Sequence, residues 1–257
     1  MSLPLSLFNL PFFHEAYANP SQASRHGLLK VLAGLFIISA LVFQTLSLTG
    51  CISTSPTIPS LYVVSLTHGD PDNTTVQVRM GFFGICGIHG SETNCVPTRP
   101  AQPSVPDLAA KIFPENKNAT SKEVENLITV ALNLQNGIFA SPLAGGAVAF
   151  VLSLAFVLLH MRNLRKAEYY STSVKIVKRA TYALLVLAAA GTGGSALAIT
   201  QAADALQYAS QGTSVVFTAG ETLQVCQWIA FGCQAAFLVL VPVISKPREV
   251  VYVKEVV

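Results

Sequence analysis

Charge is what this chain has least of. Only 11% of its residues are charged, against 51% hydrophobic, and the mean hydropathy is +0.52, whereas about a quarter of a typical soluble domain is charged. A water-soluble globule is therefore set aside in favour of an integral membrane protein. The net charge of +3 is too small for a nucleic-acid surface, and the Lys and Arg residues border apolar runs instead of interleaving with aromatics; nucleic acid is not an expected partner. Catalytic signatures are missing too. There is no phosphate-cradling loop, no Gly-x-Ser-x-Gly elbow, no His-Glu-x-x-His and no acid pair inside an apolar run, so the chain is expected not to be an enzyme. Asp70-Pro71-Asp72-Asn73 lacks the length and closing glutamate of an EF-hand loop and reads as a surface turn. His68 and His89 have no Cys or His partners at zinc spacing and are expected at the solvent. Neither a metal nor a cofactor is expected.

What the chain has in abundance is long apolar runs. Four of them, about 28–50, 138–160, 180–203 and 222–244, reach the roughly twenty residues a helix needs to cross a bilayer. The first is too long, and begins too late, for a cleaved signal peptide. Leu48-Thr49-Gly50-Cys51 looks like a lipoprotein acylation site, but its lead is too long and three more runs follow. Ser141-Pro142 is expected to break the helix before the second run, in which Gly145, Ala149 and Ser153 recur every fourth residue, a spacing that lets helices approach closely in lipid. The third run centres on the small residues 188–195 and is expected to be the most enclosed. The fourth ends at Pro242 and carries Gln224, Gln227 and Gln234 near one face.

The segment 161–179 sets Arg162, Arg165, Lys166, Lys175, Lys178 and Arg179 against Glu168 alone. By the positive-inside rule it faces the cytoplasm. Arg25 and Lys30 before the first run, and Lys246, Arg248 and Lys254 after the last, fall on the same side after four crossings. The reading is thus a cytoplasmic tail over 1–27, a four-span domain over 28–244 and a second cytoplasmic tail over 245–257, at the plasma membrane. These cations also suit anionic head groups, but topology alone accounts for them.

The segment 51–137 is then a large outer loop. Residues 61–67 and 75–80 are β-branched or alternating, separated by the turn-rich 68–73, and read as strands of a small antiparallel sheet. Val96 to Pro106, with four prolines, reads as an extended surface crossing. Thr120 and Glu123 form a capping box ahead of Val124, Leu127, Ile128, Ala131 and Leu134 at helical spacing. Asn73-Thr74-Thr75 and Asn118-Ala119-Thr120 are glycosylation acceptors, so Asn73 and Asn118 both fit a lumenal or extracellular loop. A short second outer segment, 204–220, contains Ser214 to Thr218, a candidate extra strand.

Five cysteines leave one unpaired in any scheme. Cys51, Cys226 and Cys233 lie in or beside apolar runs, where thiols act as small hydrophobes, which leaves Cys86 and Cys95 as the natural disulfide pair across a hairpin whose turn contains Gly87, Gly90, Ser91 and Asn94. Ahead of that pair stands Gly81-Phe82-Phe83-Gly84-Ile85-Cys86. Its glycines allow close backbone approach or a kink, and Phe82 and Phe83 point to opposite faces, so at least one must be covered.

This pattern of glycine, two large apolar residues, glycine, any residue and cysteine, followed by a second cysteine, resembles the signature of the fungal mating-induced calcium regulator and membrane fusion proteins. These are four-span members of the wider claudin and peripheral-myelin-protein superfamily. Two departures from animal claudins, Phe83 where they carry tryptophan and a longer, proline-rich first loop, move the resemblance to the fungal branch. The resemblance implies a four-helix transmembrane bundle with a small extracellular antiparallel β-sheet. It implies a role in calcium influx and membrane joining during mating or hyphal fusion, and as partners the lipid bilayer, calcium-channel or other membrane proteins, a copy of itself or a partner cell. Cortical four-span proteins of eisosome type are an alternative, as is a claudin-like adhesion protein. A pore-forming subunit lined by the span-four glutamines, with Thr200, Gln201, Asp204 and Glu221 at its mouth, is weighed below these.

Overall fold

In the computed structural model, four long helices carry a five-stranded sheet at one end. Residues 20–55, 57–68, 76–90, 92–98, 104–114, 122–135, 140–165, 172–209 and 215–244 are described. Asn73 and Asn118, the turn 70–73, the cap residue Thr120, Lys166, Glu168 and the cations beyond 244 lie outside them.

The four spanning helices are α1 (Pro20–Thr49), α4 (Ala140–Arg165), α5 (Thr172–Ala209) and α6 (Glu221–Ile244). Each contains a stretch long and apolar enough to cross a membrane: Gly27–Thr49, Pro142–Arg162, Lys175–Tyr208 and Glu221–Ile244. α1, α4 and α5 extend past the apolar runs, α4 as far as Arg165. Residues 20–27, read from the sequence as part of a tail, are helical and belong to α1. α5 reaches back to Thr172, placing Lys175, Lys178 and Arg179 on the helix, not in a connecting loop, because long unbranched cations fit a helix well. α6 continues past Pro242 to Ile244, where only the last turn loses a hydrogen bond to the proline ring. Ser141-Pro142 falls inside the first turn of α4.

α4 packs most extensively on α5, and α6 packs on both α1 and α5. Small residues set the α4–α5 distance: a Cβ added to Gly191 would stand 3.1 Å from Gly146 Cα and 3.1 Å from Pro142 O, an approach that only small side chains permit in lipid. Phe150 of α4 and Phe237 of α6 meet edge to face at 6.4 Å in the bundle core. Aliphatic side chains such as Leu35, Val148, Leu187 and Val239 point outward and are exposed, as lipid-facing positions are. α5 is the most enclosed span, with 44% of its most apolar window buried against 22–28% for the others.

The sheet runs β4-β3-β2-β1-β5 and is antiparallel throughout. Its strands are β1 (Val64–His68), β2 (Val76–Met80), β3 (Gly84–His89), β4 (Glu92–Pro97) and β5 (Val215–Ala219). The strand from the segment 204–220 thus completes the sheet against β1. Two short helices, α2 (Val105–Ile112) and α3 (Lys122–Leu134), pack against the strands. Leu66, Val78, Met80 and Ile85 alternate onto one face and join Leu108, Ile112, Leu127 and Ile128 in a shared core. The proline-rich stretch is not one extended crossing. Pro97 ends β4, while Pro106 sits in the first turn of α2, whose N-cap Ser104 accepts a hydrogen bond from Asp107 N. Proline forbids a helix interior but suits a helix start.

Candidate functional site: the bridged sheet and its seat on the helix bundle

Gly81, Phe82 and Phe83 form the turn between β2 and β3, closed by Gly81 N donating to Gly84 O at 2.9 Å. Phe82 is fully buried and Phe83 half-buried, so one aromatic anchors the turn in the core and the other lies at its margin. Close approach is what makes glycine necessary here. A Cβ on Gly84 would run into the Cys51 carbonyl and come within 2.9 Å of Ile52 Cα, and one on Gly81 would meet the Gly50 carbonyl. The turn therefore lies directly on the backbone 50–52, where the chain leaves α1, and seats the sheet on the first span.

Cys51 sits under that turn with φ +57, the one non-glycine left-handed residue among those described, a conformation that costs a non-glycine residue energy unless its surroundings hold it. They do: Cys51 N donates to Ile58 O at 3.3 Å and its Sγ lies 3.7 Å from Leu61 O. The thiol is wholly buried. Burial pushes its pKa up to about 12, with the Arg79 charge pulling the other way.

A polar clamp holds the turn from its other side. Gln135, 1% exposed, donates from Nε2 to Gly81 O at 2.9 Å and accepts at Oε1 from Thr98 Oγ1 at 2.9 Å. Thr98 N in turn donates to Phe83 O. Sequence reasoning missed both residues. The available signal was a glutamine four positions after Ala131, just past the end of α3, where its apolar stripe would place another hydrophobe.

The structure joins Cys86 to Cys95, which face each other across β3 and β4 with Cα atoms 4.0 Å apart. Opposed residues of an antiparallel pair share a face. The bridge consequently stands in one row with Arg79, Ser65 and Thr218, crossing all five strands, on the face opposite Leu66, Val78 and Ile85. Arg79 lies over the Tyr62 ring at 4.8 Å and donates to Pro59 O at 3.2 Å. Gln77 donates to Ser65 Oγ at 2.7 Å. Val216 and Thr218, on the edge strand of the same face, are exposed. His89 is half-buried with Nδ1 unpartnered, not at the solvent as expected, because the end of β3 is flanked by β2 and β4.

Inside the bundle, Gln234 donates to Gln44 Oε1 at 3.0 Å, and Gln44 donates to Thr192 Oγ1 at 3.4 Å, linking α6, α1 and α5. Gln227 is fully buried, and neither atom of its amide has a partner. Gln224 and Thr200 are half-buried, while Gln201, Asp204 and Glu221 are exposed near the sheet end. Among the described residues no group of His, Cys, Asp and Glu is arranged to hold a metal.

Residues 63–246 match the model of a family described as Ca2+ regulator and membrane fusion protein Fig1. The matched stretch takes in the motif turn, the bridge, all five strands and three spans. No curated protein matches the chain.

Proposed function

The chain belongs to the Ca2+ regulator and membrane fusion protein Fig1 family, and from that premise we propose that this multi-pass membrane protein acts at the plasma membrane in fungal mating or cell fusion. In this reading the bridged sheet, facing outward with both chain ends in the cytoplasm, regulates calcium influx and the joining of partner membranes by docking on a calcium channel, another membrane protein or the opposing cell. It is a binding and membrane-organising module without catalysis. One observation carries the proposal: the motif turn Gly81–Gly84 rests on residues 50–52 at the end of α1, so the displayed face and the spans are mechanically one piece. Charge supports the orientation, because Arg162, Lys175, Lys178 and Arg179 gather at the end away from the sheet, and such cations favour the cytoplasmic side. Deletion of the protein should lower calcium entry on pheromone exposure and leave partner cells unjoined. Normal entry and normal joining would refute the proposal, and confinement to static cortical patches would select the eisosome-type alternative.

The unpartnered amide of Gln227 favours a second reading, in which the chain contributes polar groups to a conduction path. Reversing the charges of Asp204 and Glu221 then alters calcium entry at constant surface level. Unchanged entry removes this reading and leaves the first intact.

A further inference from the structure

β4 forms one edge of the sheet and β5 the other. The β4 edge is guarded in the ways proteins use against stray pairing: α2 packs against that strand, Glu92 stands at its start and Pro97 at its end. β5, Val215–Ala219, carries no charge, no proline and no bulge. Its hydrogen-bond parity follows from Gly220 N, which donates to Val63 O at 3.0 Å. Along an antiparallel ladder, pairs that exchange backbone bonds alternate with pairs that do not. In the register that sets Ala219 opposite Val64 and Val216 opposite Thr67, residues 216 and 218 therefore bond to β1. The N–H and C=O of Phe217 and Ala219 point away from it, and neither residue has another backbone partner among the described residues. Val216, 54% exposed, and Thr218 stand bare on one face. Phe217 lies half-buried at the margin of the core on the other.

An edge with free backbone groups and β-branched side chains is a template for a further strand, and β5 is complementary to itself. Laid antiparallel in the register that matches all five residues, two copies of β5 set Phe217 opposite Phe217, where both backbone bonds are exchanged. Val216 then stands opposite Thr218, a β-branched cross-strand pair. No charge meets its like, and the sheet core continues from one copy into the next through the two Phe217 rings. Such a contact is isologous and closes on two copies. We infer that the β5 edge is where two copies of this chain pair, joining their sheets into one. The inference is independent of the role in calcium entry and membrane joining proposed above and survives its failure.

Disulfide trapping of the full-length protein in mild detergent, where copies meet in any orientation, tests it. In a background with Cys226 and Cys233 replaced by alanine, Val216→Cys and Thr218→Cys proteins are mixed and oxidised. A pair that exchanges no bonds stands about 4.5 Å apart at Cα, within disulfide reach, so the mixture should yield a covalent dimer. Either protein alone places its two cysteines diagonally, roughly 7–8 Å apart, and should yield no more than a trace. Ala219→Pro, which removes an N–H that β1 does not use and closes the edge, should abolish the bridge in the mixture. Val216 and Thr218 are exposed, so the mixture carries the decision even where Ala219→Pro fails to fold. No dimer from the mixture, the same yield from either protein alone, undiminished bridging in Ala219→Pro, or an equal yield from Asn126→Cys, exposed on α3 where that helix packs on β2, would each overturn the pairing.

Discussion

The Gln135 clamp gives the sharpest way to ask whether the motif turn is fastened as described. Gln135→Met removes both of its hydrogen bonds and keeps its volume, leaving the Gly81 carbonyl and the Thr98 hydroxyl without partners. Each stranded buried group costs about 1–3 kcal/mol, so the pair destabilises the seated turn by at least ~2 kcal/mol. Cys51 supplies a reporter, since its thiol is wholly buried beneath the turn and reacts only when the turn lifts. With Cys226 and Cys233, the other free thiols, replaced by alanine, Gln135→Met should speed maleimide labelling of Cys51 by about thirtyfold. Thr98→Val strands only Gln135 Oε1 and should speed it about fivefold, for ~1 kcal/mol. The double variant strands only the Gly81 carbonyl, so it should label about fivefold faster than the parent, slower than Gln135→Met alone. Independent effects would multiply to about 150-fold. Labelling of the double variant at that product would refute the clamp.

Three other outcomes follow from the same contacts. Gly84→Ala forces a methyl into the Cys51 carbonyl and should expose Cys51 to labelling while the four spans still insert; a protected Cys51 would show that the turn does not need glycine. Burial raises the Cys51 pKa from the ordinary 9.0 to about 12, so the open state gives up its proton first. pH has no effect through this group below about 9, and the seated turn weakens from there towards 12 by up to ~1.4 kcal/mol per unit, read as a fall in melting temperature that Cys51→Ala should abolish. Gly191→Ile drives a branched side chain against Gly146 and Pro142 and should separate α4 from α5, measured as a lower melting temperature in detergent; an unchanged value would mean the two helices are not held by that approach.

Much of the architecture was legible because lipid imposes a simple rule on sequence. Runs such as 28–50 announce spanning helices by length and polarity alone, and β-branched alternation in 61–67 and 75–80 announced strands. The spacing of Cys86 and Cys95 placed the bridge across a hairpin. Helix ends were less visible: α5 runs on through Lys175, Lys178 and Arg179, since charge marks where the apolar slab ends and not where the helix does. α2 was hidden by its prolines, whose effect depends on whether they stand inside a helix or at its start. The seat of the motif turn could not be read at all, because it joins Gly81 and Gly84 to residues 50–52, some thirty positions away. Gln135 and Thr98 are likewise 37 residues apart, and nothing local to either predicts that they meet.

The most direct test of the account is calcium entry and cell joining in cells that carry the paired change Cys86→Ser and Cys95→Ser, compared at equal surface level. Without the bridge, β3 and β4 lose a constraint worth about 2–3 kcal/mol, while the spans, which contain neither residue, stay in place. The account predicts that the protein still reaches the surface and that both activities are lost. Full calcium entry and full joining with the bridge absent would contradict the claim that the fastened outer sheet is the working surface.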